Sequence, residues 1–140
     1  MSKPINGNAN ANANGNGNGK RPFKLMIVDD SNIMRRRIER SQQFEELQLV
    51  GTAGNGLEAL ELFKKTDPDV VTMDLTMPRM DGIECISQLV ALKPAIRILV
   101  ISALADKATA VEAMEKGANG FLNKPFTDRQ LNEAIAELMR

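Results

Sequence analysis

From Pro22 onward the chain alternates five times between short apolar runs and longer stretches with helical rhythm. Leu25 to Val28, Val70 to Met73 and Ile98 to Ile101 are nearly unbroken apolar runs. They are too short for helices and suit strands buried on both faces. The expected strands are Phe23 to Val28, Leu47 to Ala53, Val70 to Met73, Arg97 to Ile101 and Gly120 to Leu122. The second begins polar-apolar and belongs nearer an edge. Between the strands, Ser31 is placed to cap a helix to about Phe44, in which Ile33, Met34, Arg37 and Ile38 set the 3.6-residue rhythm. Asn55 or Gly56 opens a second helix, where Leu57, Leu60 and Phe63 share a face, and Asp67-Pro68 ends it. A third reaches Leu92, and a fourth runs from about Lys107 to Lys116 with Gly117 as its left-handed cap. The last follows a cap at Thr127 or Asp128 and turns Leu131, Ala134, Ile135 and Leu138 inward. Strict alternation predicts a single α/β domain, a doubly wound five-stranded parallel sheet with five helices and right-handed crossovers.

Polar residues punctuate the strand ends. Asp29-Asp30 follows the first strand, Asp74 the third, Ser102 the fourth, and Lys124-Pro125 the fifth. In an open parallel sheet the carboxyl ends of the strands share one edge, where ligands bind. Three carboxylates, a hydroxyl and an ammonium are therefore expected to converge, a set suited to a divalent cation and a phosphoryl group. Asp29 and Asp30 beside a third carboxylate repel one another, which calls for raised pKa values or a counter-cation. The chain has no His, which excludes a Ser-His-Asp triad, a His-ligated zinc site and imidazole acid-base chemistry. Cys85 is the sole cysteine, so no disulfide forms within the chain; Ile83, Ile86 and Leu89 around it suggest a small buried hydrophobe. A bound metal must be held by oxygen, which favours magnesium, manganese or calcium.

Charge is balanced, 18 basic against 18 acidic residues, so a nucleic-acid footprint is not expected. Arg35-Arg36-Arg37 is the one basic run and reads as a solvated helix face. No apolar stretch approaches the ~18 residues of a membrane span, and the N-terminus lacks the apolar core of a signal peptide. A soluble, cytoplasmic chain without membrane insertion is expected. Asn6 to Gly19 alternates Asn with Ala or Gly and cannot offset the entropy of ordering its backbone. Residues 1–21 are thus expected to be a disordered tail and residues 22–140 the folded domain. The G-x-G pattern in the tail follows no strand and is rejected as a dinucleotide site.

From Lys24 to Met139 the chain resembles the receiver domain of bacterial response regulators, of the stand-alone chemotaxis (CheY-like) type. The resemblance rests on VDDS at Val28 to Ser31, MDLTMPRMDG at Met73 to Gly82, VISA at Val100 to Ala103 and GFLNKPF at Gly120 to Phe126. It implies a flavodoxin-like fold and a phosphoryl group passed from the phosphohistidine of a sensor kinase to Asp74. A carboxylate is a poor nucleophile unless the phosphoryl group is held in line and its charge neutralised. The resemblance assigns the magnesium shell to Asp30, Asp74 and the Thr76 backbone carbonyl, with Asp29 acting mostly through water and manganese as a substitute. Lys124 and Ser102 would contact the phosphoryl oxygens, and the bond before Pro125 would be cis. Ser102 and Phe121 would switch the surface made by the fourth helix, fifth strand and fifth helix, where a partner such as a flagellar motor switch protein binds. The implied protein is a monomer that catalyses only its own phosphorylation and dephosphorylation.

Three positions depart from the family pattern. Phe121 stands where chemotaxis receivers more often carry tyrosine, and Thr76 and Leu104 replace Asn and Glu of the best-known member. An apolar Leu104 is expected to alter self-dephosphorylation. The fourth helix, with Ala108, Ala110 and Ala113, is either a smooth docking surface or simply a run of good helix formers. No effector domain follows Arg140, so output is expected through binding in trans. A phosphorelay shuttle is the alternative role. A haloacid-dehalogenase-like phosphatase is remote, because Thr76 occupies the place of its second aspartate. A flavin carrier is disfavoured, because the chain has no Trp or Tyr to stack on the ring and its carboxylates would repel the flavin phosphate.

Overall fold

The computed structural model, which describes residues 22–77, 80–103 and 107–140, contains five strands: β1 (Phe23–Val28), β2 (Leu47–Ala53), β3 (Val70–Met73), β4 (Arg97–Ser102) and β5 (Gly120–Asn123). They form one parallel sheet in the order β2-β1-β3-β4-β5. The helices α1 (Asn32–Ser41), α2 (Gly56–Thr66), α3 (Gly82–Leu92), α4 (Lys107–Glu115) and α5 (Asp128–Met139) alternate with them. This is the doubly wound five-stranded parallel sheet expected from the alternation, in the strand order of the flavodoxin-like fold that the resemblance implies. The expected tail, residues 1–21, lies outside the described residues, as do Pro78, Arg79 and Leu104 to Asp106.

Strand side chains alternate between faces, which divides the core in two. Met26, Val28, Val71, Met73, Ile98 and Val100 pack with Ala59 and Phe63 of α2, Cys85, Ile86 and Leu89 of α3, and Ala113 of α4. Leu25, Ile27, Val70, Leu99 and Ile101 pack with Ile38 of α1 and with Leu131, Ile135 and Leu138 of α5. Fully enclosed strand residues on both faces explain the unbroken apolar runs. Strand β2 is an edge strand, as the mixing of polar and apolar residues at its start suggests, and its register with β1 shifts between Leu25 and Met26. Cys85 is fully buried, and burial pushes its thiol up to about 12, so it behaves as the expected small hydrophobe.

Short polar residues start four of the helices. The side chains of Ser31, Asn55, Asp81 and Thr127 each accept a backbone N–H from the first turn of α1, α2, α3 and α5. Thr127 and Gln130 form a reciprocal capping box. Each such cap stabilises its helix by about 1 kcal/mol. Gly117 holds φ at +118°, as expected, and a Cβ there would come within 2.7 Å of Val90.

The main differences from expectation lie in α1. The helix ends at Ser41 rather than Phe44 because Gln42 is extended; its N–H caps Ile38 and its side chain accepts from Phe44. Phe44, half-buried, plugs the α1–α5 side of the core from the loop. Ile33 is 81% exposed, while Met34 and Ile38 make the core contact; adjacent helical residues point about 100° apart, so one of the pair must leave the face. Leu57 is likewise exposed on α2. The basic run is not a uniformly solvated face. Arg36 is exposed, but Arg35 donates to the Asp29 carbonyl and Asn32, and Arg37 lies over the Phe126 ring. Among the described residues no helix is long and apolar enough to cross a membrane.

Thr72, central in β3, has a buried hydroxyl with no hydrogen-bond partner. An orphaned buried hydroxyl costs about 1–3 kcal/mol of desolvation. Thr72→Val, nearly the same shape, is expected to raise the urea midpoint by the equivalent of about 1 kcal/mol with an unchanged m-value; a lower midpoint would contradict this assignment.

Candidate functional site

The carboxyl ends of β1, β3, β4 and β5 bring the predicted polar residues to one rim. Asp29 and Asp74 continue β1 and β3, and backbone bonds hold them there: Asp29 N–H to the Ala53 carbonyl at 3.0 Å, Asp74 N–H to the Val28 carbonyl at 2.9 Å. Asp29, Asp30 and Asp74 each offer a carboxylate oxygen within 4.8 Å of the others. Asp29 and Asp74 are buried, and Asp30 faces solvent. Lys124, beyond β5, places Nζ 2.8 Å from Asp29 Oδ2 and 3.9 Å from Asp74 Oδ1. Its own backbone N–H donates to the Ser102 carbonyl at 3.0 Å. Ser102, at the end of β4, is fully buried, and the Lys124-Pro125 bond is cis as expected.

Other neighbours refine the picture. Asp29 Oδ1 accepts the Ser31 N–H at 2.9 Å, so both its oxygens are engaged, one by the α1 N-terminus and one by Lys124. The Thr76 N–H donates to Asp74 Oδ1 at 3.3 Å. Phe121 is half-buried on the α2–α3–α4 side, paired in register with Val100. Parity places Val100, Ser102 and Phe121 on the same face of the sheet. Leu104, the third departure from the family pattern, lies outside the described residues.

Sequence reasoning missed three contributors. Arg35, one turn after Ser31, donates to the Asp29 carbonyl, and its helical spacing from Ser31 was the available signal. Arg37 reaches Phe126, next to Lys124-Pro125. Gly82 is required by close approach, because a Cβ there would fall 2.5 Å from the Asp74 carbonyl oxygen and from Leu75 Cα. Its N–H also bonds the Leu75 carbonyl at 3.0 Å, which ties the start of α3 to the end of β3.

The Asp74 carboxyl is held above the usual carboxylate range. Burial is the main cause; the Lys124 ammonium opposes it, Asp29 adds to it, the Thr76 N–H opposes it and Asp30 adds to it. Crowded carboxylates with one ammonium between two of them leave negative charge in excess. A hard divalent cation relieves that excess, and the all-oxygen donor set fits one.

Comparison with known proteins agrees with this arrangement. Residues 25–136 match the response regulator receiver domain. The chain is 39% identical over 113 residues to the chemotaxis protein CheY of Listeria monocytogenes, spanning 81% of this chain and 95% of that protein. It is 38% identical over 117 residues to CheY of Thermotoga maritima, spanning 84% and 98% respectively. Its backbone superimposes with a TM-score of 0.81 on a chain of the CheX-CheY-BeF3-Mg+2 complex from Borrelia burgdorferi, at 31% identity over 85% of this chain and 90% of that one.

A raised folded-state pKa means that the folded protein binds the Asp74 proton more tightly than the unfolded chain does. Stability from this group is therefore present below the ordinary carboxylate pKa and lost as pH rises through the raised one. In metal-free buffer at pH 7, Asp74→Asn is expected to raise Tm by about 3–6 °C, the shift that accompanies roughly 1 kcal/mol in a domain of this size. The gain should shrink on acidification towards pH 4; a gain independent of pH would remove the electrostatic explanation.

Proposed function

The chain belongs to the response regulator receiver domain family, and from that premise we propose that Asp74 accepts a phosphoryl group from the phosphohistidine of a sensor kinase. The observation that carries the reading is the meeting of Asp74 with Lys124 and two further carboxylates, from three separate strand ends. In the transfer, phosphorus bonds to an Asp74 carboxylate oxygen as its bond to the donor imidazole nitrogen breaks. The nitrogen leaves with the electron pair and takes up a proton.

Each residue has a part suited to its position. Lys124, 3.9 Å from Asp74, swings its ammonium onto the phosphoryl oxygens, and the Ser102 hydroxyl donates to another. The Thr76 N–H keeps the Asp74 carboxylate oriented. Asp30, Asp74 and the Thr76 carbonyl would hold magnesium, with manganese as a substitute. Asp29 stands one step back, in keeping with its prior engagement by Ser31 and Lys124. Bound there, the cation neutralises charge on the phosphoryl oxygens. With the same residues in place, water attacks the phosphorus as its bond to the Asp74 oxygen breaks, which releases inorganic phosphate and restores the carboxylate. The chain is a receiver that acts on itself rather than an enzyme with turnover of a separate substrate.

Output follows from Ser102 and Phe121. When the Ser102 hydroxyl is drawn to the phosphoryl group, space opens on the face that Phe121 shares. Phenylalanine fills it without burying a hydroxyl that needs a partner. The α4–β5–α5 surface, with Val111 and Met114 exposed on α4, then repacks for a partner in the cytoplasm such as a flagellar motor switch protein. The chemotaxis names of the relatives support this choice. Phosphorylation shifts the equilibrium by its differential affinity for the two states; moving from 1:99 to 99:1 takes about 5.5 kcal/mol.

With magnesium and acetyl phosphate, intact-mass spectrometry should record the gain of one phosphoryl group, mapped to Asp74 and abolished by Asp74→Asn or by chelation. Phosphorylation that persists in Asp74→Asn would refute the assignment. Separately, magnesium alone at about 100 times its Kd should stabilise the fold by about 2.7 kcal/mol. Asp30→Ala should lose that protection; equal protection in the variant would place the cation elsewhere.

A further inference from the structure

A second link joins the two parts of the chain that the Lys124–Asp29 ion pair joins. Arg37 on α1 sets its guanidinium carbon 4.4 Å from the centre of the Phe126 ring. It donates from Nη2 to the Phe126 carbonyl and lies 3.5 Å from the Asp128 carboxylate. Phe126 follows Lys124-Pro125 directly, just as α1 follows Asp29-Asp30. The result is a closed circuit from Asp29 through α1 and Arg37 to Phe126, back along the chain to Lys124, and across 2.8 Å to Asp29 again.

The segment that carries Lys124 needs such support. Strand β5 is an edge strand, bonded to β4 on one side. After Asn123, the Lys124 N–H to Ser102 carbonyl bond continues that one-sided pairing. Arg37 holds the segment from the α1–α5 face of the sheet, where the Phe126 ring is buried. The Asp128 ion pair is largely exposed and contributes little. The ring and carbonyl contacts carry the link, and both need a flat, weakly hydrated cation with several donors, which lysine does not provide.

We propose that Arg37 is a positioning residue for Lys124, fixing the segment behind it so that the ammonium rests between Asp29 and Asp74. The packing of α1 on α5 does not depend on it. Asn132 donates to the Ser41 carbonyl and accepts the Gln43 N–H, and the apolar contacts of Ile38 remain. Loss of Arg37 therefore loosens the Lys124 segment and leaves the fold standing.

The test has two arms on the full chain. In the first, phosphorylation by acetyl phosphate with magnesium is timed for Arg37→Gln, Arg37→Lys and, as a charge-matched control on the exposed neighbour, Arg36→Gln. Arg37→Gln should be about tenfold slower, within the range that small misplacements of a reacting group produce. Arg37→Lys should stay close to it, and Arg36→Gln should match the wild type. In a Lys124→Ala background, Arg37→Gln should cause no further loss, because the two residues act as one unit. Equal losses in both backgrounds would show a merely structural role and overturn the proposal. The second arm is the NMR signal of the Lys124 side chain in metal-free, unphosphorylated protein, which does not depend on the phosphoacceptor reading. Arg37→Gln should move it to the position of a solvated lysine, and an unmoved signal would overturn the proposal. If wild-type protein takes up no phosphoryl group, the proposed function falls, and the NMR arm alone decides the role of Arg37.

Discussion

The ammonium of Lys124 lies between two buried carboxylates from different strands, 2.8 Å from Asp29 and 3.9 Å from Asp74. The sheet order puts β4 between β5 and β3, with β1 beyond. With strands about 4.8 Å apart, a group on β5 must cross the end of β4 to reach either acid. A long side chain does this, and the fully buried Ser102 at the end of β4 keeps the crossing low. The close Lys124–Asp29 pair is partly desolvated, so neither of its members is easily lost; removing one partner of a buried ion pair typically costs about 3–5 kcal/mol. Cation and carboxylates thus hold the ends of β1, β3 and β5 in one arrangement, on which the chemistry of the rim depends.

The same rim concentrates a cost. Three carboxylates within 4.8 Å of one another, with one ammonium beside them among the described residues, leave an excess of negative charge, and burial raises the Asp74 carboxyl above the ordinary carboxylate range. The fold bears this because its helix caps, two apolar half-cores and parallel pairing stabilise everything around it. The proposed function rests on this imbalance: a site whose excess charge suits a hard cation would also accept a phosphoryl group once that cation shares the charge. Ser102 and Phe121 lie on one face of adjacent strands, the arrangement that the proposed coupling of charge to packing requires.

Much of the fold was legible because its signals are local. Buried parallel strands require unbroken apolar runs, and Ser31, Asn55 and Thr127 mark helix starts by their own hydrogen-bonding chemistry. The site was legible for a topological reason: any polar residue at the carboxyl end of a parallel strand reaches the same edge. What escaped depends on tertiary contact. Phe44 continues a helical period yet plugs the core from a loop, and Ile33 fits the same period yet points to water. The arginines of α1 read alike in sequence, but Arg35 meets the Asp29 carbonyl and Arg37 the Phe126 ring, because other elements happen to pack there. Gly82 is needed for a close approach to the Asp74 backbone that no local pattern announces.

Convergence of the carboxylates around a cation is most directly tested by anomalous diffraction from crystals soaked in manganese. One peak bonded to carboxylate oxygens of Asp30 and Asp74, with Lys124 still beside Asp29, is the expected result. A peak elsewhere on the surface, or Asp74 turned away from Asp29 and Asp30 with no metal near it, would contradict the convergence on which the proposed chemistry rests.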